Sequence, residues 1–93
     1  MAGSVYTQYT VSTAVVPLTI SSAYSQPLTA RVTVETASMS IRWRYDGADP
    51  SSTVGHLALA GTEFRLDGVD QIANFRMIRA SGSDCVVSVT VDY

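Results

Sequence analysis

The residues able to do chemistry in this chain concentrate in one stretch, Arg42–His56, RWRYDGADPSSTVGH, which holds a Trp, a Tyr, two Arg, two Asp and the sole His. Calcium binding would draw on Asp46 and Asp49, with Asp67 from further along. Ca²⁺ takes about six to eight oxygen ligands, and DGADPSS has neither EF-hand spacing nor a terminal bidentate Glu. A sugar-stacking platform would draw on Trp43 and Tyr45. Both alternate in step with Ile41, however, which assigns them to a core face. Nucleophilic catalysis needs a base held against the nucleophile, and His56 sits beside Gly55 at a strand entrance. Ser and Thr are so abundant that a Ser–His pairing carries no information. Paired carboxylates could imitate a glycosidase, but 93 residues leave little room for a substrate cleft. Cys85 alternates with Val87 and Val89 and reads as a buried, inert thiol. With no Gly-rich phosphate loop and no His/Cys cluster at metal spacing, the sequence predicts a non-enzyme with no cofactor and no metal.

The same stretch makes a well-formed hairpin. Asp46-Gly47 supplies a residue tolerant of positive φ followed by Gly. Asp49-Pro50-Ser51-Ser52 forms a second bend, with Pro fixing φ and Asp or Ser satisfying nearby N–H groups. Gly55 redirects the chain into His56-Leu57. Asp46, Gly47, Pro50 and Gly55 are therefore read as structural turn residues. The arginines are the remaining chemistry. Arg42 and Arg44 fall on the face opposite Trp43, toward solvent or a partner, and Arg76 and Arg79 flank Met77-Ile78. Paired with carboxylates across strands they are surface ladders. Unpaired beside Ile78 or Tyr6 they mark the centre of an interface. The candidate partner-binding residues are accordingly Tyr6, Gln8, Arg42, Arg44, Arg76 and Arg79.

The elements that must position these residues read as strands. The chain is 46% hydrophobic and 15% charged, which is globular composition. Period-two alternation recurs at Val5–Val11, Val32–Val34, Ile41–Tyr45, Phe64–Leu66 and Cys85–Tyr93. Ala14–Ile20 contains Pro17, which suits an edge strand or a bulge. Ile20–Pro27 reads as a polar loop or a crossing between strands. In GVDQIANFRMIRA, Val69, Ile72 and Phe75 have helical spacing, predicting one helical turn at Asp70–Ala73 before a strand resumes. Asp46-Gly47, Ala60-Gly61, Asp67-Gly68 and Ser81-Gly82 punctuate the runs as turns. The expected fold is all-β: a small antiparallel β-sandwich or jelly-roll-like barrel of six to eight strands, with at most one helical turn. Residues 1–93 form a single domain, with 1–11 an extended N-terminal arm that could pair with a neighbour's sheet edge.

A net charge of −2 gives no general attraction to nucleic acid or anionic membrane, and no apolar run reaches the roughly 20 residues of a transmembrane helix. The start lacks signal-peptide character, so the sequence reads as a complete protein made in the cytoplasm. One Cys excludes an intrachain disulfide. All six positive charges are Arg, a bias that codon usage or interface chemistry would each produce.

The stretch IRWRYDGADPSSTVGHLALAGTEFRLDGVDQIANFRMIRASGSDCVVSVTVDY resembles small structural proteins of tailed bacteriophages. The shared outline is R-aromatic-R-aromatic-D-G-x-x-P-[ST], then G-[HV]-x-L-x-x-G, then I-x-x-F-R-x-I-R and a closing V-x-V-x-Y strand. It is carried here by Arg42, Tyr45, Asp46, Gly47, Pro50, Gly55, Gly61, Ile72, Phe75, Arg76, Ile78 and Arg79. The first forty residues contribute nothing to it. The resemblance implies a virion structural protein on the capsid surface, a cement or decoration protein bridging neighbouring major capsid protein subunits. It implies a homo-oligomer, a trimer in preference to a dimer, with no nucleic-acid or membrane partner. The same resemblance leaves open a tail or head–tail joining protein. The D-G-x-x-P-[ST] hairpin is also similar to one in immunoglobulin-like accessory domains of chitinases, which implies a carbohydrate-binding or spacer module.

Overall fold

A computed structural model describes residues 3–21, 24, 26–35, 39–80 and 83–93. In chain order the elements are β1 (Ser4–Val11), β2 (Val16–Pro17), β3 (Thr29–Val34), β4 (Ser40–Arg44), β5 (His56–Leu59), β6 (Glu63–Asp67), α1 (Val69–Asn74), β7 (Arg76–Arg79) and β8 (Cys85–Asp92). Two four-stranded sheets face each other, ordered β1-β8-β3-β6 and β2-β7-β4-β5, and every pairing is antiparallel. The expected all-β sandwich is present, and its strand order is that of a jelly roll. Strand 1 pairs with 8, 2 with 7, 3 with 6 and 4 with 5, as if one long hairpin had been wrapped upon itself. An immunoglobulin sandwich instead keeps its last two strands side by side in one sheet. Here β7 and β8 lie in different sheets.

Alternation explains the core. Val5, Tyr9 and Val11 of β1 stand opposite Val91, Val87 and Cys85 of β8, and Val32 opposite Val89 and Phe64. From the other sheet come Ile41, which stands opposite Ala58, and Met77, which stands opposite Trp43. Phe75, Ile41, Leu66, Ile72 and Met77 head the fully buried set. Each such side chain contributes about 1.5–3 kcal/mol on burial. Three tyrosines tie the periphery down: Tyr9 Oη accepts from Thr19 N at 2.9 Å, Tyr93 Oη accepts from Ser21 N at 2.6 Å, and Tyr24 stacks on Tyr93 at 4.7 Å.

Four expectations need correction or refinement. Residues 4–11 are no free arm: Ser4–Val11 is β1, paired with β8 along its whole length from Ser4↔Asp92 to Val11↔Cys85. The helix runs past the single turn expected, Val69–Asn74, and Arg76 Nη1 donates to the carbonyls of Ala73 (3.1 Å) and of the capping Phe75 (2.8 Å) at its open end. Tyr45 is not core. It is 41% exposed, because β4 ends at Arg44 and alternation fixes no facing beyond the strand. Ser81-Gly82 lies outside the described residues. Pro17 occupies an edge strand as expected, and the segment after it crosses between the two sheets.

Candidate binding surfaces

The sandwich has two outer faces of different character, and the sequence-predicted residues divide between them. On the β1-β8-β3-β6 sheet, Tyr6 and Gln8 point outward. Tyr6 Oη hydrogen-bonds Ser88 Oγ at 2.7 Å, Gln8 Nε2 donates to Glu35 at 3.3 Å, and Ser88 Oγ also bonds Glu35. Arg31 stands directly opposite Arg65, and the like charges are separated by Glu63 and Asp67. The Arg31–Glu63 contact is 3.5 Å and the Arg65–Asp67 contact 3.1 Å. This face is a grid of hydroxyls, carboxylates and guanidinium groups, with Tyr6 standing 61% exposed upon it.

On the β2-β7-β4-β5 sheet, Arg42 stands beside Leu57 and Ile78, and Arg44 beside Arg76. Arg42 lies along the sheet with Nη1 donating to Gly55 O at 3.1 Å, and its Nε is buried with no hydrogen-bond partner among the described residues. Arg44 grips Asp46 with both Nε (2.7 Å) and Nη2, which lowers the Asp46 carboxyl to about 2. The same hydrogen bond raises Arg44. Arg79 has the opposite parity from Ile78, lies at the strand end, and binds Asp84 at 2.9 Å. It is therefore not part of the same patch as Arg42, Arg44 and Arg76. Four arginines thus pair with carboxylates and two with backbone carbonyls, so the guanidinium groups serve the fold before any partner.

The two hairpin glycines both have positive φ. Gly55 has φ 128°, and a Cβ there would lie 3.1 Å from Trp43 O and 3.2 Å from the buried Pro50. Gly47 has φ 88° and follows the Asp46 carboxylate, which accepts from Ala48 N at 3.4 Å. Trp43 stacks on Phe64 across the sandwich at 4.4 Å and touches His56 at 4.8 Å, so the sole histidine packs on an aromatic ring.

Two open clefts flank the hairpin. One, of about 470 Å³, is walled by Thr13, Pro50–Ser52, Ile78, Arg79 and Ala80. The other, of about 400 Å³, is bounded by Arg44, Tyr45, Asp46, Val54, Gly55 and His56. Among the described residues no cluster of three or more His, Cys, Asp or Glu has metal-binding geometry, and Cys85 is buried. Among the described residues no helix is long and apolar enough to cross a membrane.

Sequence reasoning missed Leu57 and Leu59, which stand 48% and 58% exposed on the outer face of β5. The residue between them, Ala58, is the one that turns inward. A period-two Leu pair reads naturally as core. The contrary signal was the absence of charge from Ser51 to Thr62, which marks a surface not made for water alone. Comparison with known protein families, curated proteins and solved structures finds no match to the chain.

Proposed function

We propose that this chain is a non-enzymatic virion structural protein, a cement or decoration protein that binds major capsid protein subunits of a tailed phage and bridges neighbours. The observation that carries this reading is the division of the candidate residues between opposite faces of a thin sandwich. Tyr6 and Gln8 stand on a polar face, and Arg42, Arg44, Arg76, Ile78 and Leu57 stand on a face with exposed apolar groups. Two chemically distinct faces suit a molecule that sits between two subunits. The residues of the phage-like outline support it further, because they build a hairpin, a helix cap and a strand and bring no metal-binding cluster together among the described residues. Jelly rolls serve in capsid proteins and in lectins alike, so the fold is compatible support by analogy only.

A second reading rests on one observation. Tyr45 is exposed beside the 400 Å³ cleft and stacks on Trp43 at 5.9 Å, an arrangement able to take a sugar ring.

Co-sedimentation of the purified chain with empty phage capsids tests the primary reading. Pelleting with shells, and a rise in their disassembly temperature, is expected. A ring-shaped oligomer indifferent to shells would move the function to the tail or head–tail joint. Glycan binding abolished by Tyr45→Ala, without shell binding, would install the carbohydrate module.

A further inference from the structure

Sheet edges invite pairing with other chains, and folded proteins blunt them with charge, proline, shortness or cover. Three of the four edges here are blunted. The β6 edge carries Glu63, Arg65 and Asp67 outward. β2 is two residues long and ends in Pro17. Beside β1 runs the crossing segment, with Thr19 N bonded to Tyr9 Oη and the Tyr24 ring against Gly3. The outward side chains of β1 are also polar: Ser4, Tyr6, Gln8 and Thr10.

Among the described residues the β5 edge shows none of these devices. Its sequence is His-Leu-Ala-Leu, among the described residues it pairs with β4 alone, and Leu57 and Leu59 project from its outer face. From Ser51 to Thr62 there is no charged residue, although the whole chain carries fourteen of them (six Lys+Arg and eight Asp+Glu).

We infer that β5 is a self-association edge, at which two copies of this chain pair antiparallel about a two-fold axis through Ala58. That register alone gives both leucines of each strand a leucine partner. With Ala58 opposite its own copy, Leu57 of each chain stands opposite Leu59 of the other, on the same face. Directly opposed residues in an antiparallel pair have Cβ atoms about 4.5–5.5 Å apart, so four exposed leucines close into one cluster. The two sheets then join as a continuous eight-stranded sheet, and the contact is isologous, as a two-fold requires. Charge selects the occupant. Any edge bearing an ionic side chain would bury it unpaired against the leucines, whereas a second β5 brings none. Of the four edges on the molecule, β5 is the one that offers itself a match in both polarity and register. Two four-residue edges with four leucines lie at the small end of specific interfaces, so the dimer dissociates on dilution. The two-fold replaces the threefold symmetry expected from the phage resemblance. It holds independently of capsid binding: a chain that dimerises and ignores shells keeps this inference and overturns the cement reading, and a shell-binding monomer does the reverse.

Sedimentation velocity of the full chain over a concentration series tests it, and a rise from monomer to dimer is expected. Leu59→Lys should weaken the dimer by roughly tenfold or more while leaving the thermal melt unchanged at dilutions where both chains are monomeric, because the side chain is exposed in the monomer. Register is read by disulfide trapping. Mixed Leu57→Cys and Leu59→Cys chains should cross-link to each other, and neither should cross-link alone, because only the mixed pair is directly opposed. Cys85 is buried and stays silent. A monomer throughout the series, a trimer, a dimer untouched by Leu59→Lys, or equal cross-linking in each single variant overturns the proposal.

Discussion

Arg44 ends β4 and Asp46 opens the turn that follows, and across this short span one guanidinium meets one carboxylate with both nitrogens. Asp67 meets Arg65 at the same two-residue spacing, within β6 and through Nε alone. Because Arg44 holds the Asp46 carboxyl at about 2, below its ordinary value of 3.8, the ionised form is favoured in the folded state. The sign follows: the folded protein binds this proton less readily than the unfolded chain, so the contribution is complete above the ordinary value and is lost as pH falls toward about 2. Asp46→Asn should therefore lower the melting temperature by a constant margin from neutral pH down to about pH 4. The margin should shrink between there and pH 2, a curve that paired thermal melts across pH would trace. A margin that grows on acidification would contradict the assignment.

Strands, turns and the short helix each show what a sequence can and cannot disclose. Arg76 satisfies the open carbonyls behind α1, and Arg76→Met keeps the stem while removing both bonds. A loss of about 1–2 kcal/mol is expected, read as a lower urea midpoint with unchanged slope. The strands were legible because alternation reports a half-buried surface, and the turns because Asp-Gly and Pro tolerate few other conformations. Facing was legible only inside a strand. Tyr45 follows the Ile41–Trp43 parity one step past the end of β4 and so was assigned to the core. The facing of Leu57 and Leu59 was not legible for a different reason, since the register against β4 turns Ala58 inward, and register is a property of two segments. Arginine pairing was half legible. The Arg-x-Asp spacing was in plain view at Arg44 and Arg65, whereas the pairing of Arg79 with Asp84 needs the turn between β7 and β8. The division of Tyr6 and Gln8 from Arg42 and Arg44 onto opposite faces was not legible at all, because nothing local says which sheet a strand joins.

The nested pairing makes the chain interdependent from end to end. β8 is central to its sheet, flanked by β1 and β3, and its inner face carries Val87, Val89 and Val91. Deleting residues 1–11 removes an eight-residue ladder together with Val5, Tyr9 and the fully buried Val11. Burying one such side chain supplies about 1.5–3 kcal/mol, and a domain of this size has about 5–15 kcal/mol in all. The truncated chain is therefore expected to lose cooperative unfolding and bind a hydrophobic dye, and a sharp thermal transition would refute that. The pairing of strand 1 with strand 8 also brings residues 3 and 93 together, with Gly3 N to Tyr93 O at 3.3 Å and Tyr93 N to Gly3 O at 2.7 Å. A tension applied through these two points meets the β1–β8 ladder at its tip. It opens Ser4–Asp92 first and each following pair in turn, so the load falls on one rung at a time. Pulled that way the domain unzips at low force, whereas a pull along the strands from opposite ends of β1 and β8 loads every rung together.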